Sequence, residues 1–190
     1  MEYLMNKAQT EYGFTDYQIK LIRYSLTALF YDISKLILFI IFFYHMGKLL
    51  HLVFALCPLM LLRTKTGGLH FHSYFSCLLV SFIYLYAVIM LLPFWIEVHP
   101  LGIYLILLLC AVINYIIGPN SLTRKTPKST EFIKKAKMES FQVILIIAIS
   151  VFIFSANEYL IVSFWTVVLH TIQLSITKIL KEVKRHEKFS

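Results

Sequence analysis

His70 and Cys77 are the side chains in this sequence best suited to breaking a covalent bond. They stand in a polar stretch between two apolar runs, Arg63-Thr64-Lys65-Thr66-Gly67-Gly68-Leu69-His70-Phe71-His72-Ser73-Tyr74-Phe75-Ser76-Cys77. A thiol attacks as its thiolate, and a nearby imidazole supplies that form by taking the proton. On one straight helix His70 would share a face with Cys77 but lie about 10 Å from it along the axis, too far for a hydrogen bond. His72 would point to the other side. A Cys–His pair within one chain therefore needs the helix of Cys77 to begin after His70, with Gly67 and Gly68 folding the chain back over the sulfur. The same two glycines could present backbone N–H groups to a developing oxyanion. The spacing thus predicts a non-helical or re-entrant segment from Arg63 to about Ser73, with His70 near the Cys77 sulfur and His72 facing elsewhere. A continuous helix through His70 would leave pairing across a homodimer, or His72 as the base.

Two other readings stay open on the residues alone. The stretch could be an interfacial loop, with histidines at headgroup depth and Cys77 merely packing. It could also bind a metal through His70, His72 and Cys77, which are suitable ligand types but lack a fourth partner. The signatures of metallo-, serine and aspartyl proteases of membranes are missing: no HExxH, no GxSxG and no pair of intramembrane aspartates. Cys57 and Cys110 lie inside apolar runs, where cysteine acts as a small hydrophobe, and the three cysteines have no disulfide-type spacing. No residue pattern calls for a cofactor.

The elements that must position this stretch are membrane helices. Of 190 residues, 59% are hydrophobic and only 15% charged, more apolar side chain than a core of this size can hide from water. The expected fold is a single all-α, polytopic membrane domain over 1–190. Residues 1–25 carry no basic start followed by an apolar h-region, so no cleavable signal peptide is expected. They mix charge with Phe14, Tyr17, Leu21 and Tyr24 at helical steps, which predicts an amphipathic helix on the membrane surface. About six hydrophobic segments follow: 26–46 (with Asp32 and Lys35 able to pair), 51–62, 77–95, 101–117, 141–154 and 159–176. The second is short and holds Pro58, so four spans plus a re-entrant hairpin is an alternative to six.

Basic residues set the orientation. They gather in the 119–139 loop (Arg124, Lys125, Lys128, Lys134, Lys135, Lys137) and in the 177–190 tail (Lys178, Lys181, Lys184, Arg185, Lys188). The loops around Glu97 and Glu158 have none. Both termini and the reactive stretch then face the cytoplasm, with Lys48 the exception, and this holds for either span count. The net charge of +8 is read as topology and contact with anionic membrane lipids, not as nucleic-acid binding.

The pattern Arg63-x-x-x-Gly67-Gly68-x-His70, with Cys77 seven residues after the histidine, resembles the signature of the AgrB family, the accessory gene regulator B proteins. These are membrane cysteine endopeptidases of Gram-positive quorum sensing. Length, the amphipathic N-terminus, the place of the motif after the first hydrophobic hairpin and the basic 119–139 loop are similar as well. The resemblance implies that His70 and Cys77 are the catalytic pair, in a multi-pass protein of the cell membrane. It implies an AgrD-like precursor peptide as partner, cut through an acyl-thioester that the peptide's own cysteine or serine resolves to a thiolactone or lactone autoinducing peptide. Family precursors have acidic tails, for which Arg63, Lys65, Arg124, Lys125 and Lys128 are candidate docking charges. The chain departs from the family at Gly118-Pro119-Asn120-Ser121, where relatives often show Ala-Pro before a Pro-rich segment. The non-enzymatic alternative is a membrane transport or scaffold subunit.

Overall fold

A computed structural model of the chain describes residues 15–67, 73–96, 98–119, 129–154 and 157–186, the side chains of 184–186 excepted. The described residues are almost all helical and contain no strand, and six helices are long and apolar enough to cross a membrane. They fall into two compact units, 1–45 and 46–190.

The first unit holds α1, Asp16–His45. Thr15 and Gln18 start it as a capping box: Gln18 Oε1 accepts from the Thr15 N–H at 2.9 Å, and Thr15 Oγ1 accepts from the Gln18 N–H at 3.4 Å. The polar, aromatic residues from Asp16 onward are thus the opening turns of the same helix that forms the first span. Lys35 and Asp32 pair at 3.2 Å, one turn apart.

The second unit packs α2 (Leu49–Thr66), α3 (Tyr74–Trp95), α4 (Pro100–Ile117), α5 (Thr130–Phe154) and α6 (Glu158–His186). The short second run is a continuous helix of 18 residues, about 27 Å at 1.5 Å per residue, close to the hydrocarbon thickness. Pro58 sits inside it, buried. Proline cannot donate to the carbonyl four residues back, which is that of Phe54. The Ser163 hydroxyl of α6 donates to that oxygen at 2.8 Å, so a neighbouring helix satisfies the group that proline leaves bare. In α3 the chain widens into a π-type turn over Ala87–Leu91, where the Leu92 N–H bonds the Ala87 carbonyl. Pro93 follows at once, and the wider turn spares its ring a clash with the Ile89 carbonyl. Pro100 opens α4 at a position where its missing N–H costs nothing. Asn157 caps α6 by accepting from the Leu160 N–H at 2.9 Å.

The second half of the expected basic loop is helical: Lys134, Lys135 and Lys137 lie in the first turns of α5, and Ser129 Oγ accepts from the Phe132 N–H at 3.2 Å to cap it.

The centre of the second unit is α6. Of its apolar window 61% is buried, against 17–33% in the other spans. In lipid, apolar side chains gain little by leaving their surroundings, so van der Waals packing and interhelical hydrogen bonds must hold the helices. Accordingly α6 bonds to three neighbours: Thr66 of α2 meets His170 at 2.8 Å, Tyr84 of α3 donates to the Thr166 carbonyl at 2.8 Å, and Asn114 of α4 donates to Thr171 Oγ1 at 2.7 Å. Each such contact contributes about 0.6–2 kcal/mol.

Candidate functional site

The contacts sort the second unit into two ends. At one, His51 Nε2 lies 3.0 Å from Glu158 Oε2 and Lys48 Nζ lies 3.8 Å from the same oxygen, joining the starts of α2 and α6. At the other, Thr66 meets His170, Asn114 meets Thr171, Lys137 Nζ donates to the Ile116 carbonyl at 3.3 Å, and Lys65 pairs with Glu139 at 2.8 Å. This second end therefore holds the close of α2, the close of α4 and the start of α5. Since α3 follows α2 directly, it begins there too, and Cys77 with it.

The break in the reactive stretch is narrower than expected. Arg63, Thr64, Lys65 and Thr66 form the last turn of α2 rather than part of a loop. Their polarity suggests a loop, but none of them breaks a helix. Gly67 does, at φ 85 and ψ −158, a conformation almost closed to residues with a Cβ. Its N–H donates to the Arg63 carbonyl at 2.9 Å, so in this conformation that donor is used in capping α2 rather than pointed at a substrate. At the far side Ser73 is extended (φ −93, ψ 138), α3 starts at Tyr74, and the Cys77 N–H bonds the Ser73 carbonyl at 3.1 Å. Cys77 is thus the fourth residue of its helix and half-buried. Gly68, His70, His72, Arg124, Lys125 and Lys128 lie outside the described residues, so the His70–Cys77 distance and the metal-site reading stay expectations.

The three cysteines are thiols in different settings. Cys110 is buried in α4, while Cys57 lies exposed on mid-α2, on a face suited to lipid. Of the candidate docking charges, Lys65 is engaged with Glu139. Arg63 lies close enough to both Tyr84 and His170 for its charge to reach them.

Sequence reasoning misses Thr66, Tyr84, Asn114, His170 and Thr171. The available signal is the row Ser163, Thr166, His170 and Thr177 on α6, polar residues at three-, four- and seven-residue steps along one face of a span.

Fold and site together define a multi-pass, all-helical membrane protein with a thiol at the opening turn of a span, at the same end of the bundle as a basic, glycine-capped helix end. The chain belongs to the AgrB family: the family model for Accessory gene regulator B matches residues 1–174. Among curated proteins and among solved structures, none matches it. Membership implies a part in the processing of agr quorum-sensing peptides, as a peptidase-like processing protein, and suggests an AgrD-like peptide as substrate.

Proposed function

We propose that the protein is a cysteine endopeptidase that removes the C-terminal tail of an AgrD-like precursor, with Cys77 as nucleophile and His70 as its base. The Cys77 thiolate, its proton on the His70 imidazole, adds to one peptide carbonyl of the precursor. The tetrahedral intermediate collapses, the C–N bond breaks, and His70 returns the proton to the leaving amine. The tail departs and the precursor stays on Cys77 as a thioester. A cysteine or serine of the peptide then attacks that carbonyl, closing a thiolactone or lactone ring and restoring the thiol. A site shielded by membrane disfavours water as the competing nucleophile.

The observation that carries this reading is the helix break. Gly67 ends α2 and α3 starts only at Tyr74, so Cys77 stands at the opening turn of its helix instead of two turns inside a continuous one. The partial positive charge of a helix N-terminus favours negative charge nearby, which both the attack and the oxyanion develop. The described lysines and arginine of the second unit also favour a cytoplasmic site. Arg63, Lys65, Lys134, Lys135 and Lys137 gather at the end with Cys77, and Lys48 sits at the opposite one. Arg124, Lys125 and Lys128, with Arg63, would hold the acidic tail.

The test is cleavage of a synthetic precursor with an acidic tail by the protein in proteoliposomes. The expected result is tail release with a hydroxylamine-sensitive adduct on Cys77, both lost in Cys77→Ser. Wild-type cleavage by Cys77→Ser would refute the reading.

A further inference from the structure

Two buried side chains join α2 to α6 directly beneath the reactive break. Thr66, fully buried, is the last residue of α2 and is followed at once by Gly67. Its Oγ1 lies 2.8 Å from Nε2 of His170, which is 1% exposed. The same Oγ1 donates its one hydrogen to the Leu62 carbonyl at 2.8 Å. The hydroxyl is therefore left as an acceptor, and the imidazole donates through Nε2–H. Among the described residues His170 Nδ1 has no partner, so the ring's only polar attachment there is to Thr66. A helix end that needed only to be packed would be served as well by a leucine at 170, without a bare buried nitrogen.

One turn earlier on the same face of α6, the Thr166 carbonyl accepts from Tyr84, two turns beyond Cys77 on α3. α6 thus grips both sides of the break: α2 at the residue before Gly67, through His170, and α3, which carries Cys77, through Thr166.

We propose that His170 is a positioning residue for the reaction. Its Nε2–H holds Thr66 and thereby fixes the departure of the chain at Gly67, the residue that leads on to His70 and Cys77. The inference rests on the proposed Cys77–His70 chemistry but assigns His170 no contact with the substrate. Releasing Thr66 frees the last turn of α2 to unwind or rotate, and the base then meets the thiol in fewer molecules.

The test compares His170→Ala, Thr66→Val and His170→Gln, whose amide nitrogen can reach the position of Nε2, in proteoliposomes. Two quantities are read: precursor turnover, and the pH profile of Cys77 alkylation without precursor. His170→Ala and Thr66→Val should each lower turnover at saturating peptide by about tenfold to a hundredfold with KM changed less than about twofold. The double variant should be no slower than the worse single one, because both remove one contact. His170→Gln should recover most of the loss. The alkylation profile should shift in both impaired variants and return in His170→Gln. A normal Thr66→Val, whether or not His170→Ala is impaired, would overturn the proposal. If His170→Ala fails to fold, Thr66→Val and His170→Gln decide alone. Should the wild type not cut the precursor while the alkylation profile still moves as described, the positioning role stands and the endopeptidase reading falls. Cleavage by the wild type, with neither readout moving in the variants, overturns the positioning role only.

Discussion

Replacing Gly67 by alanine tests the helix break at its narrowest point. At φ 85 and ψ −158 the residue occupies a region nearly exclusive to glycine, where a side chain costs of the order of 1–3 kcal/mol. The cap it forms on the Arg63 carbonyl at 2.9 Å cannot be kept without that strain. α2 should therefore relax its last turn, and the native exit from Thr66 should lose about fivefold to 150-fold in population. Since only the exit moves, precursor turnover should drop by a similar factor while the melting temperature shifts by a few degrees, as about 1 kcal/mol gives in a chain this long. Gly47→Ala is the control. Gly47 also has positive φ, at 66, and a Cβ there would meet no atom within 4 Å. It precedes α2 at the end away from Cys77, so it should lower stability comparably and leave turnover near wild type. Wild-type turnover in Gly67→Ala, or equal loss in both variants, would refute the claim that this glycine places the reactive segment.

Gly118→Ala should be the more damaging glycine variant for stability: it sits at φ 67, and an added Cβ would come 2.5 Å from Lys137 Cε. A thermal melt should show a drop of several degrees, from about 1–3 kcal/mol of backbone strain plus the displaced lysine. A water-soluble maleimide should label Cys77 first at neutral pH, with Cys110 protected by burial and Cys57 by its membrane depth. Equal labelling of all three, quantified by mass spectrometry, would contradict an activated thiol. Alanine at Lys125, Lys128, Lys134 and Lys135 together should weaken precursor binding as raised salt does, and unchanged cleavage at low substrate would exclude charge docking. His72→Ala should retain far more cleavage activity than His70→Ala.

The hydropathy pattern exposes the six helices because each span must supply its own run of apolar side chains. It marks their ends less well. Arg63–Thr66 read as loop because polarity stands in for loop in a membrane protein. Yet an amphiphilic last turn is stable at an interface, and only the conformational freedom of Gly67 stops it. Lys134, Lys135 and Lys137 misled in the same way, being charges on a helix that starts before the bilayer does. The break at Gly67 was legible, since glycine has few other reasons to stand between two spans. The pairings of Thr66 with His170 and of Asn114 with Thr171 were not, because they join residues 104 and 57 positions apart. No local pattern encodes that distance.

The central place of α6 also bears on how the protein is made. It is the last of the described helices to be synthesised, yet it is the one that α2, α3 and α4 all bond to. Until it enters the bilayer, Thr66 and Asn114 lack their α6 partners, and Phe54 keeps a carbonyl that Pro58 has left unanswered. Helices in that state have reason to stay loosely associated, and a polar atom facing hydrocarbon is a feature that membrane quality control can recognise. Arrival of the final helix would therefore tighten the bundle and settle the two sides of the break at one moment. A chain whose synthesis stalls before Glu158 would carry Cys77 into the membrane without the helix to which Thr66 and Tyr84 bond.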